Sequence, residues 1–181
     1  MSKETIIVLL CVVLSALPQQ APEKDQSLPF KALDFLIGDW EAISKPGEGA
    51  GSFSFTREAQ GRVLVRRNHA EYPAADGRPA GAHDDLMVIY QDGGSLRADY
   101  FDNEGHVIHY VAQGGAEGEV TFVSEAGADG PRYRLSYARN PNGNVRGKFE
   151  IAPPGNPNGF TQYLAWEAKR QVAKPDGRGR H

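Results

Sequence analysis

The chain has 181 residues, 40% of them hydrophobic and 24% charged, with a formal net charge of −3, 21 glycines, 12 prolines and a single cysteine. That length and apolar share suit one domain with a real core and argue against wholesale disorder. One cysteine excludes an internal disulfide framework, and the slightly acidic balance leaves no electrostatic footprint for nucleic acid.

Residues 1–21 read MSKETIIVLLCVVLSALPQQA: one basic side chain, Lys3, then an apolar run from Ile6 to Leu14 that continues through small and apolar residues to Leu17. About a dozen such residues are too few for a membrane-spanning helix, which needs about 20, but they suit the apolar region of a secretory signal. The expectation is therefore a signal peptide over 1–21, a linker over 22–27, and a secreted or periplasmic mature protein with no stable membrane span. Cys11 falls inside the apolar run, preceded by Leu10 where a lipid-attachment site needs a small residue. The mature chain then carries no cysteine, which rules out thiolate chemistry.

From Ser27 the chain reads SLPFKALDFLIGDW. Ser27 can cap a short helix, Pro29 suits its first turn, and Phe30, Leu33 and Leu36 or Ile37 recur at helical spacing until Gly38 ends it. Beyond this point the period becomes two. Strands are predicted from Trp40, at Phe53 and Phe55, from Val63 to His69, from Leu86 to Tyr90 and from Leu96 to Phe101. The series continues at Val107–Val111, Val120–Val123, Tyr133–Tyr137, Val145–Ile151 and Phe160–Trp166. Gly- and Asn-bearing turns separate these strands, and no helical stretch long enough for crossover connections intervenes, so the sheet is antiparallel. Either a closed barrel or a two-sheet sandwich would hide the edges of about ten such strands. The domain is placed at 28–168, and residues 169–181, with Lys169, Arg170, Lys174, Arg178 and Arg180, read as a solvated basic tail.

Gly38, Asp39 and Trp40, following a short helix, resemble the N-terminal signature of the calycin barrels: lipocalins, fatty-acid-binding proteins and nitrobindin-like proteins. The stretch from Leu33 to Arg170 is also similar to a family of small exported bacterial proteins. The resemblance implies an antiparallel up-and-down β-barrel with a short N-terminal helix. It places Trp40 at the closed end beside Gly38, covered by a basic residue from the last strand, Lys169 or Arg170. Nitrobindin-like barrels hold haem through a histidine near the C-terminal strand, but Phe160–Trp166 contains none and Ala42 stands where that family has glycine. No cofactor is therefore expected.

Candidate chemistry is read by strand face. Counting by two from Val63 and Val65 puts Arg67 and His69 on the inward face, with Leu64, Arg66 and Asn68 outward. Tyr100 and Asp102 share a face with Leu96 and Ala98, and Tyr137 shares one with Tyr133 and Leu135. The expected lumen is polar at one end, with Arg67, His69, Tyr100, His109 and Tyr137 orienting a small, partly apolar ligand. The alternative is a small barrel enzyme, an isomerase or lyase, with His69 as general base and Arg67 or Tyr100 stabilising negative charge. No metal site is expected: His106 and His109 would pair on a helix, but on a strand they point to opposite faces, and His83, Asp84 and Asp85 read as the solvated start of a strand. The run DYFDNEGHVIHY from Asp99 is dense in acid–base side chains because a hairpin turn collects Asp102, Asn103, Glu104 and Gly105.

Overall fold

The computed structural model describes residues 28–45, 47–75, 77, 79–125 and 130–172; the expected signal peptide over 1–21, the linker over 22–27 and most of the basic tail lie outside them. Ten antiparallel strands form a closed up-and-down barrel in which each strand pairs with its sequence neighbours and the first pairs with the last. They are β1 (Gly38–Ala42), β2 (Ala50–Glu58), β3 (Val63–Tyr72), β4 (Gly81–Asp92), β5 (Ser95–Asp102), β6 (Val107–Gly114), β7 (Glu119–Ser124), β8 (Arg132–Arg139), β9 (Val145–Ala152) and β10 (Thr161–Arg170). Closure leaves no free edge, which is how a meander of this length avoids pairing with other chains.

Two differences from expectation bear on the closed end. β10 runs Thr161–Arg170 rather than Phe160–Trp166, because Trp40, Glu41 and Ala42 of β1 take Arg170, Lys169 and Ala168 as ladder partners. The N-terminal helix is a single turn, Leu28–Lys31, followed by a separate 3-10 turn at Asp34–Leu36. The amides of Leu33 and Leu36 donate to the carbonyls of Phe30 and Leu33, both at 2.9 Å. A three-residue repeat superimposes Phe30, Leu33 and Leu36, and all three are buried.

That apolar segment plugs the end of the barrel where β1 begins. Trp40, 1% exposed, donates its indole N–H to the Leu36 carbonyl at 2.7 Å. Of Lys169 and Arg170, it is Arg170 that covers the indole: its Cζ stands 4.5 Å from the ring centroid, and Nη1 donates to the Ile37 carbonyl at 2.6 Å. Gly38 has φ +118°, and a Cβ there would lie 2.3 Å from Arg170 Nη1, so the plug requires glycine at this point. Above it the lumen is filled by Phe53, Phe55, Leu64, Met87, Ile89, Phe122, Leu135 and Tyr137. Trp166 lies flat against β9, where a Cβ on Gly147 would meet its ring at 2.1 Å.

Candidate functional site: a polar floor under an aromatic mouth

Strand β3 decides what enters the lumen. Its inner face carries Leu64, Arg66 and Asn68, not Arg67 and His69: Arg66 is 4% exposed, whereas Arg67 and His69 are exposed on the outer surface. The expected orientation is thus reversed. The reason lies in Val63-Leu64-Val65, which is apolar on both faces and cannot set the phase. The phase is set by β2, where Phe55 and Phe53 face inward and pair in register with Arg66 and Asn68.

The Arg66 guanidinium is desolvated and directly bonded through Nη1 to Oδ1 of Asp85, a residue 9% exposed. Asn68 Nδ2 donates to the second Asp85 oxygen at 3.0 Å, and His83 Nε2 lies 3.5 Å from that oxygen. Burial pushes the Asp85 carboxyl up, opposed by Arg66, His83 and Asn68. Burial also disfavours the Arg66 charge, but the Asp85 carboxylate bonded to it favours that charge, and the guanidinium stays charged. Arg66 Cζ is 5.8 Å from the Phe53 ring, which forms the layer beneath.

From this floor a polar chain climbs one wall. His83 Nε2 is 3.1 Å from the Tyr100 hydroxyl and Nδ1 is 3.3 Å from Glu104 Oε1. The Tyr100 hydroxyl also lies 3.3 Å from Asp102 Oδ2. Asp102 in turn accepts the backbone N–H groups of Glu104 and His106 and sits 2.9 Å from His106 Nδ1. Burial works to raise Asp102, but these hydrogen bonds outweigh it and hold the carboxyl low. Tyr100 is pushed upward, by burial first and then by Asp85 and Asp102, so it keeps its proton and serves as a hydroxyl donor.

The other wall is aromatic. Tyr133 and Phe149 stack at 5.8 Å and 9°, and Tyr163 meets Phe149 edge-on at 6.2 Å. Tyr163 stands at a register shift of β10 between Gln162 and Leu164. Tyr72, Tyr163 and Leu164 are 45%, 74% and 41% exposed, and Tyr100, Ile108, Tyr133 and Phe149 are half-buried. The lower lumen is closed by contrast, with Phe55, Met87, Ile89 and Phe122 at 0%. The inward side chains are therefore buried toward the plugged end and become exposed toward the opposite mouth. At the boundary, Arg66 Nε and the Tyr137 hydroxyl are buried without a hydrogen-bond partner.

Of the residues singled out from sequence, Tyr100, Asp102 and Tyr137 share the lumen. Arg67, His69 and His109 do not reach it, which corrects their expected place. His69 spans Asp84 at 2.7 Å and Glu71 at 3.3 Å on the outer face, and those hydrogen bonds raise its pKa. His109 Nδ1 lies 2.6 Å from Asp99, which also accepts the Tyr90 hydroxyl at 3.0 Å. Arg67 borders an outer depression of about 330 Å³ shared with Asp39, Ser52, Ser54, His69 and Asp84. The His69–Arg67 or His69–Tyr100 catalytic arrangement does not assemble, because His69 and Arg67 lie outside and Tyr100 inside. Arg66, Asn68, His83 and Asp85 are the residues that sequence reasoning missed. Among the described residues no three metal-ligating side chains converge, and no helix is long and apolar enough to cross a membrane.

The chain matches no protein-family model, and comparison with curated proteins gives no match.

Proposed function

We propose that this is an exported barrel of calycin type that binds a small, partly apolar molecule in the open half of its lumen. The observation that carries the reading is the gradient of exposure along the inward faces: Tyr72, Tyr133, Phe149 and Tyr163 are half-buried or exposed at the mouth, whereas Phe53, Phe55, Tyr110, Phe122 and Tyr137 below it are buried. A site of this kind offers apolar walls for burial and a few convergent polar groups for orientation, the usual composition of a ligand pocket. Tyr72, Tyr133, Phe149 and Tyr163 supply the walls; Arg66, Asn68, His83 and Tyr100 supply the polar groups.

Export rests on the apolar run over residues 6–17, and the mass of the mature chain recovered outside the cytoplasm checks it. Ligand binding is tested by titrating small apolar and amphipathic compounds while following tryptophan emission, since Trp166 lies 6.0 Å from Tyr137 in the lumen wall. Saturable binding that weakens about tenfold in Phe149→Ala and is unchanged in Arg67→Ala is the expected result. Absence of saturable binding, or equal weakening in both variants, would overturn the reading.

A further inference from the structure

We infer that the outer wall of the barrel holds a second binding site, for a phosphate group, in the depression that the β9–β10 loop forms over β7, β8 and β9. It lies outside the lumen and does not depend on what the lumen binds. Val123 and Glu150 alternate with the core residue Phe122 and with Phe149, which packs against the core, and so lie on the outer face, yet they are only 7% and 5% exposed. Residues 153–160 supply the cover. Arg132 Nη1 donates to the Pro157 carbonyl at 3.1 Å and to Asn158 Oδ1 at 3.3 Å. The Cζ atoms of Arg132 and Arg134 stand 5.7 and 4.3 Å from the Phe160 ring centroid. The depression measures about 560 Å³, within the range of small-ligand pockets, about 300–1,000 Å³.

Its charge is unbalanced. Arg132, Arg134 and Lys148 line it, and Glu150 is the one acid among the described residues that do. Arg134 takes both Glu150 oxygens, and Lys148 Nζ lies 3.1 Å from Oε1. Arg132, among the described residues, meets only the carbonyl oxygens of Ser124, Pro157 and Asn158. One carboxylate thus answers three cations, and two positive charges remain in a chain whose formal net charge is −3. Both guanidiniums are already held in place by the carboxylate fork, the carbonyls and the Phe160 ring, so an arriving anion orders little further, unlike one that gathers free surface lysines.

Donors are left over as well. Arg134 Nη1 makes no hydrogen bond among the described residues, and Lys148 has two protons beyond its Glu150 contact. These side chains are 33% and 44% exposed, so the donors are open to solvent. Ser136 pairs with Lys148 across the ladder, and its hydroxyl shares one proton with Thr121 at 3.1 Å, which leaves the second proton of that pair to give. A phosphate group carries about −1.5 to −2 at neutral pH and has three acceptor oxygens, matching both the excess charge and the mixture of guanidinium, ammonium and hydroxyl donors. A carboxylate would answer only half of that charge.

Calorimetric titration of the full chain at about pH 8, where a phosphate monoester is a dianion, tests this with glycerol 3-phosphate, inorganic phosphate, acetate and glycerol. One-site phosphate binding about tenfold or more tighter than acetate is expected, with glycerol inert. An ester bound more tightly than inorganic phosphate identifies an esterified ligand, and any other order identifies free phosphate. Lys148→Gln should weaken phosphate binding about tenfold, and Lys148→Arg should restore most of it. Arg67→Gln removes the same charge from β3, remote from β8 and β9 in the strand order, and should change affinity by less than about twofold because solvent screens that distance. No saturable phosphate binding, acetate as tight as phosphate, or equal weakening in Lys148→Gln and Arg67→Gln would overturn the inference.

Discussion

Replacing Tyr137 with phenylalanine should stabilise the unliganded protein, the opposite of the usual cost of removing a buried tyrosine hydroxyl. Tyr137 is 1% exposed and its ring touches Phe53, Phe55 and Trp166 at centroid distances of 6.1, 5.6 and 6.0 Å. Phenylalanine keeps every one of those ring contacts. What it removes is a hydroxyl with no hydrogen-bond partner, whose pKa is pushed up to about 12, by burial against the opposing pull of Arg66. An unsatisfied buried polar group costs roughly 1–3 kcal/mol, so a gain of about 1 kcal/mol is expected, with Tm rising by about 2–4 °C for a domain of this size. Urea unfolding followed by tryptophan emission measures it, and an unchanged m-value shows that both end states are comparable. Tyr100→Phe is the control: its hydroxyl sits 3.1 Å from His83 and 3.3 Å from Asp102, and losing it should cost about 1 kcal/mol. A loss of about 1 kcal/mol in Tyr137→Phe would refute the reasoning, because it would mean that the hydroxyl is satisfied in the unliganded state.

The Arg66–Asp85 pair should show strong non-additivity. Arg66→Met or Asp85→Leu alone strands a buried charge and should cost about 3–5 kcal/mol, while the double variant should fall within about 1 kcal/mol of wild type; additive losses would refute direct coupling. On the outer wall, Glu150 takes both Arg134 nitrogens at 2.6 and 2.8 Å, and those hydrogen bonds, with help from Lys148, hold its pKa below the usual 4.5 despite burial. A depressed carboxylate adds stability above its unfolded pKa and loses it as pH falls through the folded one. The stability gap between wild type and Glu150→Gln should therefore shrink between about pH 6 and about pH 3, and a gap that widens on acidification would contradict it.

The barrel was legible because most strands alternate cleanly and turn chemistry separates them. Leu96, Ala98, Tyr100 and Asp102 are distinguished from Arg97 and Asp99, and the structure places them on the inner face as read. In β3, however, Val63-Leu64-Val65 is followed by two basic residues and then by Asn68-His69, so every chemical class occurs on both faces. A slip of one residue leaves such a pattern almost unchanged while turning each side chain over. The deciding signal was in the neighbour: Phe53 and Phe55 alternate with Ser52, Ser54 and Thr56, and the ladder hands that polarity to Arg66 and Asn68. Asp85 was obscured for a related reason, since Leu86 to Tyr90 is apolar throughout and marks no preferred face. The floor of the site depends on pairing between strands, and alternation within one strand does not carry that information.

The plug also fixes the direction in which the barrel can be presented. Leu28 leads into the segment that covers the closed end, and at the other terminus Arg170 pairs with Trp40 while the Gln171 amide donates to the Asp39 carbonyl at 2.8 Å. Both ends of the described chain therefore leave from the same pole, opposite the aromatic mouth. A partner joined directly at Leu28 or Val172 meets the molecule at its sealed base, on the far side from the mouth.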